Sequence, residues 1–180
     1  MNCKALLPDV PTLAGHGVQW VLIGTTNWGA GLFRLSLFRS MTNNTPTASA
    51  VVASFGGNSQ IGCAMMGLYL TNVVTTGNQG AGAVVQVVQT TNNSANPVVT
   101  LAALGAGAAI VAVFGNNVNG FGATSIDAGW TQRVQNGFAT PSTGQLTIYS
   151  TATSDNTPSI TDGAQSWGGI AVEIARAACP

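Results

Sequence analysis

Charge is what this chain has least of. Its 180 residues include five Lys or Arg and five Asp or Glu, 6% in all, against about 25% in an ordinary soluble domain. The charged positions are Lys4, Asp9, Arg34, Arg39, Asp127, Arg133, Asp155, Asp162, Glu173 and Arg176. A balance so small and even offers no basic face for nucleic acid. It offers no polybasic patch for a membrane surface either. Polarity comes instead from Ser, Thr, Asn, Gln and Gly. Net charge near zero favours association, so a surface of this kind suits packing against copies of itself or a partner.

Groups able to do acid–base chemistry are equally scarce. His16 is the only histidine, and a hydrolytic triad needs a base held by a carboxylate beside a nucleophile. No Gly-x-Ser-x-Gly elbow is present, so His16 reads as a solvated loop imidazole. Paired carboxylates for glycoside hydrolysis would have to come from Asp127, Asp155, Asp162 and Glu173. Asp155 and Asp162 flank one loop, but their spacing matches no calcium-loop pattern. Turn and cap hydrogen bonds are the expected role of Asp and Asn there. The cysteine and histidine spacings exclude a structural zinc site, and no phosphate loop opens a helix. No catalytic, cofactor-binding or metal-ligating residue is assigned, no cofactor is expected, and the chain is expected not to be an enzyme.

Long apolar runs are missing too. The stretch 98–114 is uncharged but divided by Gly105-Ala106-Gly107. It is shorter than the ~20 residues of a membrane span, so it reads as two buried strands joined at that turn. The opening residues before Pro8 and Asp9 do not read as a secretory signal. Cysteines number three, Cys3, Cys63 and Cys179. Cys63 sits in the apolar run 61–70 and reads as a small core residue. Cys3 and Cys179, at the two ends, are open to bridging one another or neighbouring subunits, or to remaining thiols alongside Cys63.

What is present is β punctuation. Runs rich in Val, Ile, Thr, Phe and Leu alternate with Gly, Asn, Ser, Thr and Pro at the spacing of a sandwich or barrel. In 32–39, Phe33, Leu35 and Leu37 fall on one face and Arg34, Ser36 and Phe38 on the other. The segment 145–151 has the same period, with Leu146 and Ile148 opposite Thr147 and Tyr149. Further strands are expected at 18–24, 48–55, 61–70, 83–90, 98–104, 108–114, 130–135 and 168–175. The runs 61–70 and 108–114 are apolar on both faces, as in a central strand or one covered by another subunit. Turns are expected at Gly56-Gly57-Asn58, Gly77-Asn78, Asn92-Asn93-Ser94, Asn119-Gly120 and Asn136-Gly137. Residues 1–17 read as an extended arm and 18–180 as one domain. Of the tryptophans, Trp20, Trp130 and Trp167 fall at strand ends and are expected to plug core edges. For all four, including Trp28, anchoring a partner or stacking a sugar are the alternatives.

The C-terminal third carries Gly129-Trp130-Thr131, then Gly144-Gln145-Leu146-Thr147-Ile148-Tyr149-Ser150, and closes with Ser166-Trp167-Gly168-Gly169-Ile170-Ala171-Val172-Glu173-Ile174. With the strand at 31–39 and the Thr/Ala/Ser-rich stretch 47–55, this resembles a jelly-roll-type β-sandwich domain of tailed-bacteriophage structural proteins. The resemblance implies an all-β, antiparallel jelly-roll sandwich of about 8–10 strands in a non-enzymatic virion component. The expected role is a capsid decoration, or cement, protein assembled in the host cytoplasm. Its partners would be the major capsid protein or other virion subunits, with a homo-oligomer, a trimer favoured. A receptor- or carbohydrate-binding module of a tail fibre or lectin is the alternative. Relatives usually carry an extra apolar strand where this chain has its Pro8–Pro11 arm.

Overall fold

The clearest period-two segment of the sequence forms a strand whose Phe33 and Leu35 are buried in the main core. The computed structural model describes residues 1–5, 8–42, 47–117, 129–138, 144–151, 155–161 and 163–178. These form β1 (Asn2–Lys4), β2 (Thr12–Ala14), β3 (Val21–Trp28), β4 (Phe33–Arg39), β5 (Val52–Ser54) and β6 (Gly62–Ala64). A 3-10 stretch, Asn78–Ala83, leads into β7 (Val84–Ser94), β8 (Ala109–Asn116), β9 (Thr131–Phe138), β10 (Gly144–Thr151) and β11 (Gln165–Ile174). The protein is all-β and its paired strands are antiparallel. One sheet runs β3-β4-β1-β6, a second β7-β11-β8-β10-β9, and β2 pairs with β5 alone.

The two larger sheets share one core. Trp28, Phe33, Leu35 and Ala64 from the first meet Val111, Val113, Ile170, Val172 and Ile174 from the second. Trp28 stacks on Phe33 with ring centroids 5.6 Å apart. Its indole lies over Gly115 and Gly168, which pair with each other across β8 and β11. A Cβ at Gly115 would stand 2.6 Å from Trp28 Cη2, and one at Gly168 would overlap the same ring. The two glycines are the seat of the tryptophan.

The other face of the five-stranded sheet is covered by the chain itself. Residues 97–101 and 155–160 run antiparallel across it, joined by Val99 N–H to Pro158 O (3.1 Å), Leu101 N–H to Asn156 O (2.9 Å) and Ile160 N–H to Pro97 O (2.9 Å). They press Val99, Leu101 and Ile160 onto Ile110, Ala112, Phe114, Trp167 and Ala171. This explains the two-sided apolar character of 108–114: β8 is buried on both faces within one chain. The expected strand at 98–104 is therefore a covering segment with a single bridge, Val98 to Ser159. The turn at Gly105 does form, closed by Ala108 N–H to Gly105 O.

Other expectations shift with the ladder. Asn92-Asn93-Ser94 does not break its strand, because β11 pairs with β7 as far as Ser94. Asn136-Gly137 is likewise inside β9, opposite Leu146 and Gln145. Gly56-Gly57 does turn, with φ of +62° and +92° that only glycine adopts cheaply. The Asn119-Gly120 turn lies outside the described residues. Of the opening segment 1–17, residues 2–4 form β1 between β4 and β6, and 12–14 pair with β5. The Met1 amine donates to Ser36 O (2.7 Å), and burial lowers its pKa to about 5.

Cys3 and Cys63 form a disulfide across β1 and β6, with Cα atoms 4.2 Å apart. They are direct cross-strand partners, and this spacing suits the close, non-hydrogen-bonded pair of an antiparallel ladder. Cys63 is thus neither a free core thiol nor left over, and Cys3 is not available to Cys179, which lies outside the described residues.

Candidate interaction surface

Among the described residues, Glu173, Arg34, Arg39 and Asp155 hold the chain's own loops in place. Glu173, on β11, is buried. Its Oε1 accepts from Gly105 N–H (2.8 Å) and its Oε2 from Gln86 Nε2 (2.6 Å). Gln86 Oε1 in turn accepts from Ala102 N–H (2.9 Å). The carboxylate thereby ties the loop after residue 101 to the sheet, beside an open cleft of about 250 Å³ that Arg176 also lines. Arg34 Nε donates to Pro8 O and Arg39 Nε to Gln79 O (3.2 Å), fastening two further irregular segments. Lys4 Nζ stands 5.5 Å from the centroid of the Phe33 ring, within cation–π range.

Asp155 caps its loop, as the sequence suggests. Oδ1 accepts from the amide and hydroxyl of Thr157 (both 2.9 Å), and Oδ2 from Trp130 Nε1 (2.7 Å). Partial burial pushes this carboxyl's pKa up, but the bonds from Trp130 and Thr157 outweigh it and hold the group below its ordinary 3.8. A lowered carboxyl pKa contributes stability that is present above 3.8 and lost as pH falls through the folded value. The contribution is small because the group is well solvated. The Trp130 indole N–H resonance is expected to titrate below pH 3.8 and to become pH-invariant in Asp155→Asn.

Asp127 and Asp162 lie outside the described residues. Among those described, no group of three or more His, Cys, Asp or Glu could hold a metal ion. His16 sits in a left-handed turn (φ +58°), its amide donating to Ser49 Oγ (2.7 Å). The structure brings it to no carboxylate–nucleophile pair among the described residues.

Trp28, Trp130 and Trp167 are buried. Trp28 and Trp130, the natural candidates for a sugar platform, therefore fill cores instead. Trp20 is half-buried, its indole donating to Gly15 O (3.3 Å).

The exposed apolar surface is elsewhere. Of the run 61–70, read as a strand apolar on both faces, only Gly62–Ala64 is one. Beyond it the chain leaves the sheet edge with Met65, Leu68, Tyr69 and Leu70 exposed, Tyr69 at 81%, and Ile61, just before the strand, is exposed as well. Met66 turns back against the main core and pins the segment down. From 65 to 71 no residue makes a hydrogen bond among the described residues. Four large apolar side chains on a short, unpaired segment, with Ile61 nearby, form the kind of patch that marks an interaction site. Composition could not reveal this, because the same residues read equally well as a buried strand.

Fold and surface together define a class: an all-β protein of stacked antiparallel sheets, with Arg34, Arg39, Asp155 and Glu173 engaged in its own loops and an apolar strip at a sheet edge. No family model, curated protein or solved structure matches the chain.

Proposed function

We propose that this chain is a non-enzymatic assembly protein, a jelly-roll-type capsid decoration subunit of a tailed-phage virion that binds shell subunits through residues 61–70. The observation that carries the reading is the exposed apolar surface flanking β6: Met65, Leu68, Tyr69 and Leu70 on the unpaired segment after it, with Ile61 just before it. Two others support it. Arg34, Arg39, Asp155 and Glu173 are engaged in holding loops, which leaves little titratable surface for chemistry. A disulfide, Cys3–Cys63, suits a protein that works outside a reducing cytoplasm, virion surfaces included. Burial of Trp28 and Trp130 removes the main support for a glycan-binding module.

The test is copurification with intact virions at a copy number comparable to the major shell protein. A handful of copies per particle would select a tail role, and none would sink the reading. A purified Leu68→Ser, Tyr69→Ser variant is expected to bind shells at least tenfold more weakly. Its thermal stability should stay unchanged, since exposed substitutions usually shift it by less than about 0.5 kcal/mol. Binding through neutral, apolar contacts should also persist at about 1 M salt, where charge pairs are screened within roughly 3 Å.

A further inference from the structure

The five-stranded sheet has two edges, and they are built differently. β9 carries Arg133, which is skipped in the ladder: Ile148 pairs with Val134 and Tyr149 with Gln132. A charge on a bulge is a common way of blunting an edge against pairing with another chain. The opposite edge, β7, is irregular only at Val85, where Glu173 pairs with Gln86 and Ile174 with Val84. From there, Gln86 to Ser94 is a regular run of nine residues without charge, proline or glycine. No backbone hydrogen bond covers its outer side among the described residues.

We infer that β7 is a self-pairing edge, joining a second copy of this chain antiparallel about a twofold axis at Thr90, the midpoint of 86–94. The second copy is the fitting occupant because of symmetry and charge. Identical strands paired antiparallel always match donor to acceptor, and in a twofold contact residue i meets j while j meets i, so the residue on the axis faces its own counterpart. Any charge near the axis would therefore face its like, and β7 has none. Along the run, Gln89 meets Thr91, Val88 meets Asn92 and Gln86 meets Ser94 of the second copy. The result is a ten-stranded sheet through a dimer, in place of the trimer that the family resemblance implies. This goes beyond the proposed capsid role and does not need it: the apolar strip at 61–70 is a separate surface.

Sedimentation of the whole protein across a concentration series tests the idea. The wild type is expected as a dimer of twice 18.1 kDa. Thr90→Lys and Thr90→Glu should each be monomeric, because like charges then face across the axis. An equimolar mixture of the two should restore the dimer, which neither a folding defect nor an interface elsewhere would produce. Gln89→Glu keeps the side-chain oxygen that accepts from Thr25 N–H (3.0 Å) and is expected to weaken the dimer as well. A wild type that stays monomeric, a dimer untouched by these variants, or a mixture that fails to reassociate would overturn the proposal.

Discussion

Trp28→Ala is expected to destabilise the protein by about 3–5 kcal/mol, the range for truncating a large buried aromatic, and to lower Tm by roughly 10 °C. The indole is 4% exposed and bridges the two sheets: it lies on Phe33 from its own sheet and on Gly115 and Gly168 of the other. Removing it leaves a void that neither glycine can fill. Two companion variants separate cavity from hydrogen bonding. Trp28 Nε1 has no hydrogen-bond partner among the described residues, and a buried orphan donor costs about 1–3 kcal/mol. Trp28→Phe therefore removes a liability along with part of the ring, and it should cost much less than Trp28→Ala. Gly168→Ala adds a methyl where the indole already sits, an overpacking cost of about 1–3 kcal/mol. In a Trp28→Phe background that cost should shrink. Additive losses in the double variant would mean that Trp28 and Gly168 do not share the contact described. Denaturant unfolding of the wild type and the four variants provides the measurement.

The seat of Trp28 also shows what local pattern can and cannot reveal. Phe33, Leu35 and Leu37 alternate so regularly that the sequence alone assigns their face, and burial agrees. Gly168 reads only as part of a small-residue strand, because the reason for its smallness stands on another sheet 140 positions earlier in the chain. The run 108–114 is legible as buried on both sides, but not what buries it. That depends on Val99, Leu101 and Ile160, brought over β8 by a bridge between distant segments. The run 61–70 misleads for the converse reason. Hydrophobicity says that a segment will be covered, not by whom, and here Ala64 and Met66 pack on the core while Ile61, Met65, Leu68, Tyr69 and Leu70 stay exposed. Asp155 was readable as a cap since its partners on Thr157 are two residues away. Its bond to Trp130 is long-range and was not.

Reduction of the Cys3–Cys63 disulfide should remove roughly 4 kcal/mol of stability, the chain-entropy value for a crosslink between residues 60 apart. The bond also has a local task. β6 is three residues long and, among the described residues, pairs only with β1, so few hydrogen bonds hold it. Directly after it comes the apolar strip, anchored by Ala64 and Met66. With the sulfurs separated, β6 is expected to open before the rest of the sheet. Its amides should exchange hydrogen with solvent faster while those of β8 and β11 keep their protection. Global loss and local opening give different results. Denaturant unfolding with and without reductant measures the first, and exchange at residues 62–64 the second. Cys63→Ser should reproduce both, as its position is half-buried and tolerates the hydroxyl. Cys3→Ser should cost more, because Cys3 is 2% exposed and a hydroxyl there must find a partner in the core. If reduction changes stability by less than about 1 kcal/mol and leaves exchange at 62–64 untouched, the three-residue pairing of β6 is sufficient by itself. The disulfide would then have no part in presenting the strip. If both change, shell binding should weaken in reductant with Leu68 and Tyr69 intact, linking the capture surface to the oxidation state of the chain.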